Sequence, residues 1–151
     1  MARGGFAAKT SVSVDKTRLE IETLLTRAGA TTRGTMTDDA KNTAVVAFVL
    51  KGATYRITLP LPIYAGSTNY KATGRALASH DQAVRTRWRV LLLLLKAKLE
   101  AVRLGVSSAE HEFLADLVLE NGRTVHVDLP ELLRLGMGAR QLTQGSQGGQ
   151  R

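Results

Sequence analysis

The chain has no cysteine among its 151 residues, and this single absence removes several kinds of chemistry. No disulfide can form, and neither a zinc–thiolate site nor a thiol nucleophile is possible. Small secreted domains often depend on disulfides for stability, so a chain of this size without them is typical of a reducing compartment. We therefore expect a cytoplasmic protein.

Long apolar runs are missing as well. The longest, Val90–Leu95, is far shorter than the ~20 apolar residues that cross a bilayer, and residues 1–10 contain no apolar stretch of signal-peptide length. We therefore expect no membrane partner. Aromatic residues make up only 5% of the chain against a hydrophobic share of 44%, so the core of one domain must consist mainly of Leu, Val, Ile and Ala.

Hydrophobic periodicity in the first part of the chain predicts one helix followed by a small antiparallel sheet. Apolar residues at helical spacing predict a helix over 15–28, with Asp15 as its N-cap and Gly29 as its stop. Segments rich in β-branched and apolar residues predict three strands, and the tight turn Lys51-Gly52 joins the second strand to the third. The strands are expected at 31–36, 43–50 and 54–59.

A long central amphipathic helix is predicted next. Ser79 and Gln82 form a capping box that predicts its start, and Gly105 predicts its end. One apolar stripe at helical spacing should be buried, and its members are Val84, Trp88, Leu91, Leu92, Leu95, Leu99 and Val102. A second apolar set lies round the back, as expected of a helix in the centre of a domain, and it comprises Val90, Leu93, Leu94, Ala97, Ala101 and Leu104.

The end of the chain predicts a short helix and a C-terminal β-hairpin. Asn121-Gly122, between two segments with apolar residues, is a strong short-range hairpin signal, and Pro130 suits the first turn of a last short helix. The whole is an α+β fold with three parts. We expect a flexible N-terminal arm at 1–12, a single α+β domain at 13–135, and a disordered tail rich in Gly and Gln at 136–151.

Several short blocks within residues 10–128 carry a resemblance to a known family. They include Thr10-Ser11-Val12-Ser13-Val14, Leu59-Pro60-Leu61-Pro62, Arg87-Trp88-Arg89, Lys96-Ala97-Lys98-Leu99-Glu100-Ala101-Val102, Glu112-Phe113-Leu114-Ala115 and Asn121-Gly122-Arg123-Thr124-Val125. Through them the chain resembles a family of uncharacterised tailed-phage and prophage proteins with no established activity. The pattern at 87–105 is the most specific part. The resemblance implies a phage protein that works in the cytoplasm of the host cell.

Residue types that carry catalysis show no catalytic pattern. His80, His111 and His126 are too far apart for the spacing of a metal site, and no thiolate can complete one. Ser107 and Ser108 read as helix caps, because the chain has neither a nucleophile elbow nor a phosphate-binding loop. We therefore expect a protein that is not an enzyme and that uses no cofactor and no metal.

Charge is the remaining signal, and it is unevenly spread. The net charge of +8 divides into +4 over residues 1–70, +6 over 71–103 and −2 over 104–151. A strongly basic middle favours a polyanion or an acidic partner near that part of the chain. Long basic side chains also cover the apolar flanks of buried helices, so the charge alone leaves both interpretations open.

The basic segment contains the candidate binding residues. Arg85 and Arg89 lie with Lys96 and Arg103 in one narrow arc of the central helix, and a loop at 63–78 supplies further cations and two tyrosines that could stack on bases. The predicted nucleic-acid-binding residues are Tyr64, Tyr70, Lys71, Arg75, Arg85 and Arg89.

Two functions are compatible with these observations. The first is a non-enzymatic accessory protein that binds nucleic acid, with a single strand favoured by the tyrosines, in phage replication or recombination. The second is a protein-interaction module that binds and modulates a host protein or a defence complex. Cations that share one free face would favour nucleic acid, whereas an exposed apolar patch would favour a protein partner. The oligomeric state is open at this level.

Overall fold

The computed structural model describes residues 11–63 and 74–145, and it has the expected α+β fold. Helices and a three-stranded antiparallel sheet follow one another along the chain. Their bounds are α1 Val14–Arg27, β1 Thr32–Asp38, β2 Thr43–Leu50, β3 Ala53–Pro60, α2 Gly74–Arg103, α3 Ala109–Glu112 and α4 Val125–Gly145, with a single 3₁₀ turn at Leu114–Asp116.

The sheet has the order β1-β2-β3, and its register follows from a tight turn. Lys51 and Gly52 both have positive φ, at 50° and 82°, which a two-residue hairpin with matching twist requires. This turn sets Phe48 opposite Tyr55 across β2 and β3. Every second residue of β2 is buried, from Ala44 to Leu50, and the alternate residues are half-buried on the other face.

The core lies between one face of this sheet and the helices α1 and α2. The expected burial of the central helix is confirmed for five of the seven stripe residues, Trp88, Leu91, Leu92, Leu95 and Leu99, whereas Val84 and Val102 are only half-buried. From the sheet and α3, the rings of Phe48, Tyr55 and Phe113 complete the core with centroids 5.4–5.5 Å apart. Three aromatic rings thus supply bulk that the leucines alone would not.

Helix starts differ from the sequence prediction. α1 is capped by Ser13, whose Oγ accepts a hydrogen bond from the Lys16 N–H at 3.2 Å, so the prediction of Asp15 as the cap is wrong. α2 begins at Gly74, and Ser79 therefore lies inside the helix and is not its cap. The residues between these two positions include Arg, Leu and two Ala, which favour helix and extend it towards the N-terminus.

The back of α2 also differs from the prediction. Val90, Leu94 and Leu104 are exposed, so α2 is not surrounded by the domain. The physical reason is the arrangement of the layers: the sheet, α1 and α3 lie against the rest of the helix, and no element of the described chain covers this side. α2 is therefore a helix on the surface of the core.

The C-terminal hairpin is not confirmed. Asn121-Gly122 does form a turn, with Gly122 at φ 77° and one bridge between Val118 and Thr124, but the chain then enters α4 instead of a second strand. Asp128 explains this change. Its carboxylate in the first turn of α4 accepts from Asn121 Nδ2 at 2.7 Å and pairs with Arg123 at 2.8 Å, which holds the turn against the helix start.

α4 is longer than the short helix that the sequence predicts. Pro130 lies inside it and not in its first turn, and the helix continues to Gly145 through part of the predicted disordered tail. The segment Ala139-Arg140-Gln141-Leu142 consists of strong helix formers, which offset the neighbouring glycines. The predicted arm at 1–12 and the end of the predicted tail lie largely or wholly outside the described residues.

Candidate interaction surface

Half of the predicted nucleic-acid site lies beyond the described part of the chain. Tyr64, Tyr70 and Lys71 fall outside it, and Arg75 lies in the first turn of α2, where only the backbone is described. The structure therefore describes the side chains of two predicted residues, Arg85 and Arg89.

Both of these arginines are engaged within their own chain. The Arg89 guanidinium lies 3.1 Å from the Glu20 carboxylate of α1, in an ion pair whose side chains are only 26% and 33% exposed. Arg85 donates from Nη2 to Gln82 Oε1 at 2.9 Å, and its Nε is buried. We predict from the sequence that these charged heads lie free in water, and the structure shows them held against the protein instead.

The helices α1 and α2 run side by side in the same direction. Val14 shares a small cavity with Trp88, Glu20 pairs with Arg89, and Arg27 lies with Arg103 at the far end. The arc of cations that the sequence predicts on α2 therefore faces α1. At the start of the arc, Arg85 and Arg89 are engaged by Gln82 and Glu20, and towards its end, Lys96 and Arg103 line a cleft between the two helices.

This cleft, here called the basic cleft, is an open cavity of about 810 Å³ between the C-terminal halves of α1 and α2 and the β2–β3 turn. Its walls are mostly apolar, and the apolar lining comprises Leu24, Ala28, Leu50, Leu93, Ala97, Leu99 and Val102. Four cations line it as well, from three separate elements: Arg27, Lys51, Lys96 and Arg103. The basic cleft therefore has an apolar floor and a basic rim.

Little negative charge offsets this rim. Among the described residues, Glu100 is the only acid in the lining, and it is paired with Arg103 at 2.6 Å. Within the described chain, neither Arg27 nor Lys96 has a carboxylate at ion-pair distance. Lys51 has Glu110 as a more distant neighbour: hydrogen bonds from its own backbone N–H and from Ser108 lower the Glu110 pKa most, and the charge of Lys51 contributes.

A structural role explains only part of this charge. Arg27 and Arg103 lie in the last turns of α1 and α2, where cations stabilise the negative end of the helix dipole. Lys51 lies in a β-turn and Lys96 lies two turns before the end of α2, so the dipole explains neither. Within the described residues, neither of these two cations has an ion-pair partner that would account for its position beside an apolar cleft.

Sequence reasoning missed the basic cleft because three distant segments build it. Arg27 and Lys51 are unremarkable surface residues in one dimension, and nothing in the spacing of α1, the β-turn and α2 predicts that they meet. The only available signal was the pair Lys96 and Arg103 in the arc of α2, which does line the cleft.

One cluster resembles a catalytic arrangement but lacks its geometry. Ser107 Oγ lies 3.1 Å from His111 Nδ1, and Glu112 Oε1 lies 3.6 Å from the same nitrogen. A Ser–His–acid relay contacts opposite nitrogens of the ring, so that a proton can pass from one side to the other. Here both contacts fall on Nδ1 of an exposed side chain, and the arrangement is that of a helix start.

Among residues 11–63 and 74–145, no group of three or more His, Asp or Glu side chains could hold a metal ion. None of the helices described there is long and apolar enough to span a membrane.

Comparison of the chain with known proteins gives no match from which a function of this surface could be inferred. No protein-family model, no curated protein and no solved structure matches the chain.

Proposed function

We propose that this protein is an interaction module that binds an apolar, acidic helical segment of a partner protein in the basic cleft. The observation that carries the proposal is the convergence of Arg27, Lys51 and Lys96 on one apolar cavity, where none of them has an ion-pair partner in the described part of the chain. A partner with leucines facing the floor and carboxylates facing the rim would satisfy both features at once.

The length of the cleft fits a helix. Its α2 wall extends from Leu93 to Arg103, which corresponds to ~15 Å at ~1.5 Å per residue. This length matches about three helical turns, the span over which an amphipathic helix presents anchors at i, i+3, i+4 and i+7. An apolar groove between two helices is a common receptor for such a segment. The resemblance to phage proteins favours a host protein as the partner.

Nucleic acid fits this surface less well. Binding to single strands without sequence preference combines cations with aromatic rings on which bases stack. The described residues that line the basic cleft include no aromatic side chain. Arg85 and Arg89, the predicted phosphate contacts, are engaged by Gln82 and Glu20. Nucleic-acid binding through residues 64–75 remains a separate proposal, which the experiment below also addresses.

The test is a fluorescence-anisotropy titration with designed peptides. The probe is a labelled four-turn helical peptide with a leucine stripe flanked by Glu, and its control has the same stripe flanked by Lys. We expect the Glu peptide to bind more tightly than the Lys peptide, with an affinity that falls as salt rises, because the rim charges are exposed to solvent. A labelled single-stranded oligonucleotide serves as the third probe.

Variants locate the binding site. Lys96→Glu and Arg27→Glu should each weaken Glu-peptide binding by about tenfold, a change of ~1.4 kcal/mol. Lys16→Glu is the matched control, since Lys16 is an exposed cation in the first turn of α1, away from the cleft, and it should leave affinity unchanged. Equal affinity for the Glu and Lys peptides would overturn the proposal, and oligonucleotide binding without peptide binding would replace it with the nucleic-acid function.

A further inference from the structure

The exposed back of α2 carries a regular apolar line, here called the outer seam. Its members are Val90, Leu94, Ala97, Ala101 and Leu104. Within α2, Val90 and Leu94 are 47% and 48% exposed, and Leu104, directly after the end of the helix, is 60% exposed. These values are high for large apolar side chains. Successive members are separated by four, three, four and three residues, which is the spacing of the contact line of a coiled coil.

We propose that two copies of this chain associate through the outer seam, with their α2 helices antiparallel. In one register each large residue of the seam faces a small one. Leu94 lies opposite Ala97 of the other copy, and Val90 lies opposite its Ala101. The two-fold axis repeats both contacts, so a single surface supplies both sides of the interface, as a symmetric dimer requires. The small residues let the two helices approach closely.

The ends of the seam also fit this register. Leu104 lies opposite Arg87 of the other copy, whose aliphatic stem can cover the leucine while its guanidinium reaches water. Glu100 of the first copy lies one turn further in, where its carboxylate, already paired with Arg103 of the same chain at 2.6 Å, can also accept from that guanidinium. Arg87 is exposed and has no ion-pair partner among the described residues, so the dimer would provide one. Size and charge thus select the same pairing.

The contact is short, which determines its strength. From Val90 to Leu104 the helix rises ~21 Å at ~1.5 Å per residue, and two helices crossing over that length bury less than the ~800 Å² per partner of a standard stable interface. We therefore expect a reversible dimer that dissociates in the micromolar range. The outer seam borders the basic cleft, because Ala97 and Glu100 also line that cavity. The inference does not rest on the proposed function, because its test contains no peptide and measures only self-association.

Sedimentation velocity over a range of protein concentrations measures the association. The unmodified chain should shift from monomer to dimer as concentration rises, and Leu94→Glu should remain monomeric at every concentration while keeping its circular-dichroism spectrum. Leu19→Glu is the matched control, because Leu19 is an exposed leucine on α1 outside the seam, and this variant should dimerise like the parent chain. A parent chain that stays monomeric at high concentration overturns the proposal.

Disulfide trapping tests the register, and the absence of native cysteine makes it unambiguous. Leu94→Cys mixed with Ala97→Cys should form a covalent dimer on mild oxidation, since these positions face each other in the antiparallel pair. Either variant alone should form little. Efficient trapping of Leu94→Cys with itself would indicate parallel helices, and equal trapping of all combinations would indicate random collision; both results contradict the proposed pairing.

Discussion

The two faces of α2 are both apolar, but one is buried in the core and the other is exposed to solvent. In the run Val90–Leu95, Leu91, Leu92 and Leu95 are buried, whereas Val90 and Leu94 are about half exposed. Hydrophobicity alone therefore does not tell which residues form the core. The position of the sheet and of α1 makes the inner face the core and leaves the outer face available for partners.

The strongest test of this comparison is a pair of adjacent substitutions. Leu95→Ala removes a fully buried side chain from the core and should lower the free energy of unfolding by ~2–5 kcal/mol. Leu94→Ala removes the same atoms from an exposed position and should change it by less than ~0.5 kcal/mol. Urea unfolding followed by circular dichroism measures both, at a protein concentration where the parent chain is monomeric. Similar losses for the two variants would abolish the distinction between the faces.

A smaller effect tests the aromatic part of the core. Tyr55 is fully buried and its hydroxyl has no hydrogen-bond partner within the described chain, so Tyr55→Phe removes an unsatisfied polar group and should stabilise the fold by up to ~1 kcal/mol. A clear loss of stability in the same urea titration would show that the hydroxyl is bound after all. Phe48→Leu, in contrast, removes the ring contacts with Tyr55 and Phe113 and should destabilise the fold.

The same tyrosine gives a pH dependence. Burial, with a contribution from Glu110, raises the Tyr55 pKa above its ordinary value of 10.0. The folded state therefore keeps this proton at a pH where the unfolded chain has released it, and stability should fall as the pH rises above about 10. Tyr55→Phe should reduce that fall. Parent and variant curves of identical slope between neutral and alkaline pH would argue against a buried, protonated Tyr55.

The smallest expected effect lies at the border between the two faces. The Arg89–Glu20 pair is only partly exposed, and a double-mutant cycle of Arg89→Ala and Glu20→Ala should give a coupling of ~0.2–1 kcal/mol. The Arg103–Glu100 pair is more exposed and serves as the comparison, with a coupling nearer the lower limit. A coupling near zero would mean that Glu20 does not hold Arg89, and that the Arg89 guanidinium is available to bind a ligand.

Local patterns predicted most of the fold. The burial of the inner stripe, the stop at Gly29, the Lys51-Gly52 turn and the antiparallel sheet each depend on neighbours in sequence, which a single chain reveals. The failures have two kinds of cause. Short-range contacts decide the helix starts, since Ser13 caps α1 and Asp128 holds the Asn121-Gly122 turn against the start of α4. The exposure of the back of α2 depends instead on tertiary packing, because no element of the described chain covers that side.

The candidate site shows the same limit more sharply. Sequence spacing did identify the arc of cations on α2, but it could not show that Glu20 pairs with Arg89. Nor could it show that Arg27 and Lys51, far apart in the chain, lie beside Lys96. Tertiary structure decides which charges are neutralised and which are free. Because Arg85 and Arg89 are engaged and Lys96 is not, the proposed binding site lies at the second half of α2 and not at its start.

The most direct test of the account is a heteronuclear NMR titration of the isotope-labelled protein, first with the Glu-flanked peptide and then with the oligonucleotide. The basic cleft predicts that the peptide shifts backbone signals of Leu24, Lys51, Lys96 and Arg103 and leaves those of Arg85 and Arg89 unchanged. Shifts confined to residues 64–89, produced by the oligonucleotide and not by the peptide, would contradict the account and place function at the start of α2.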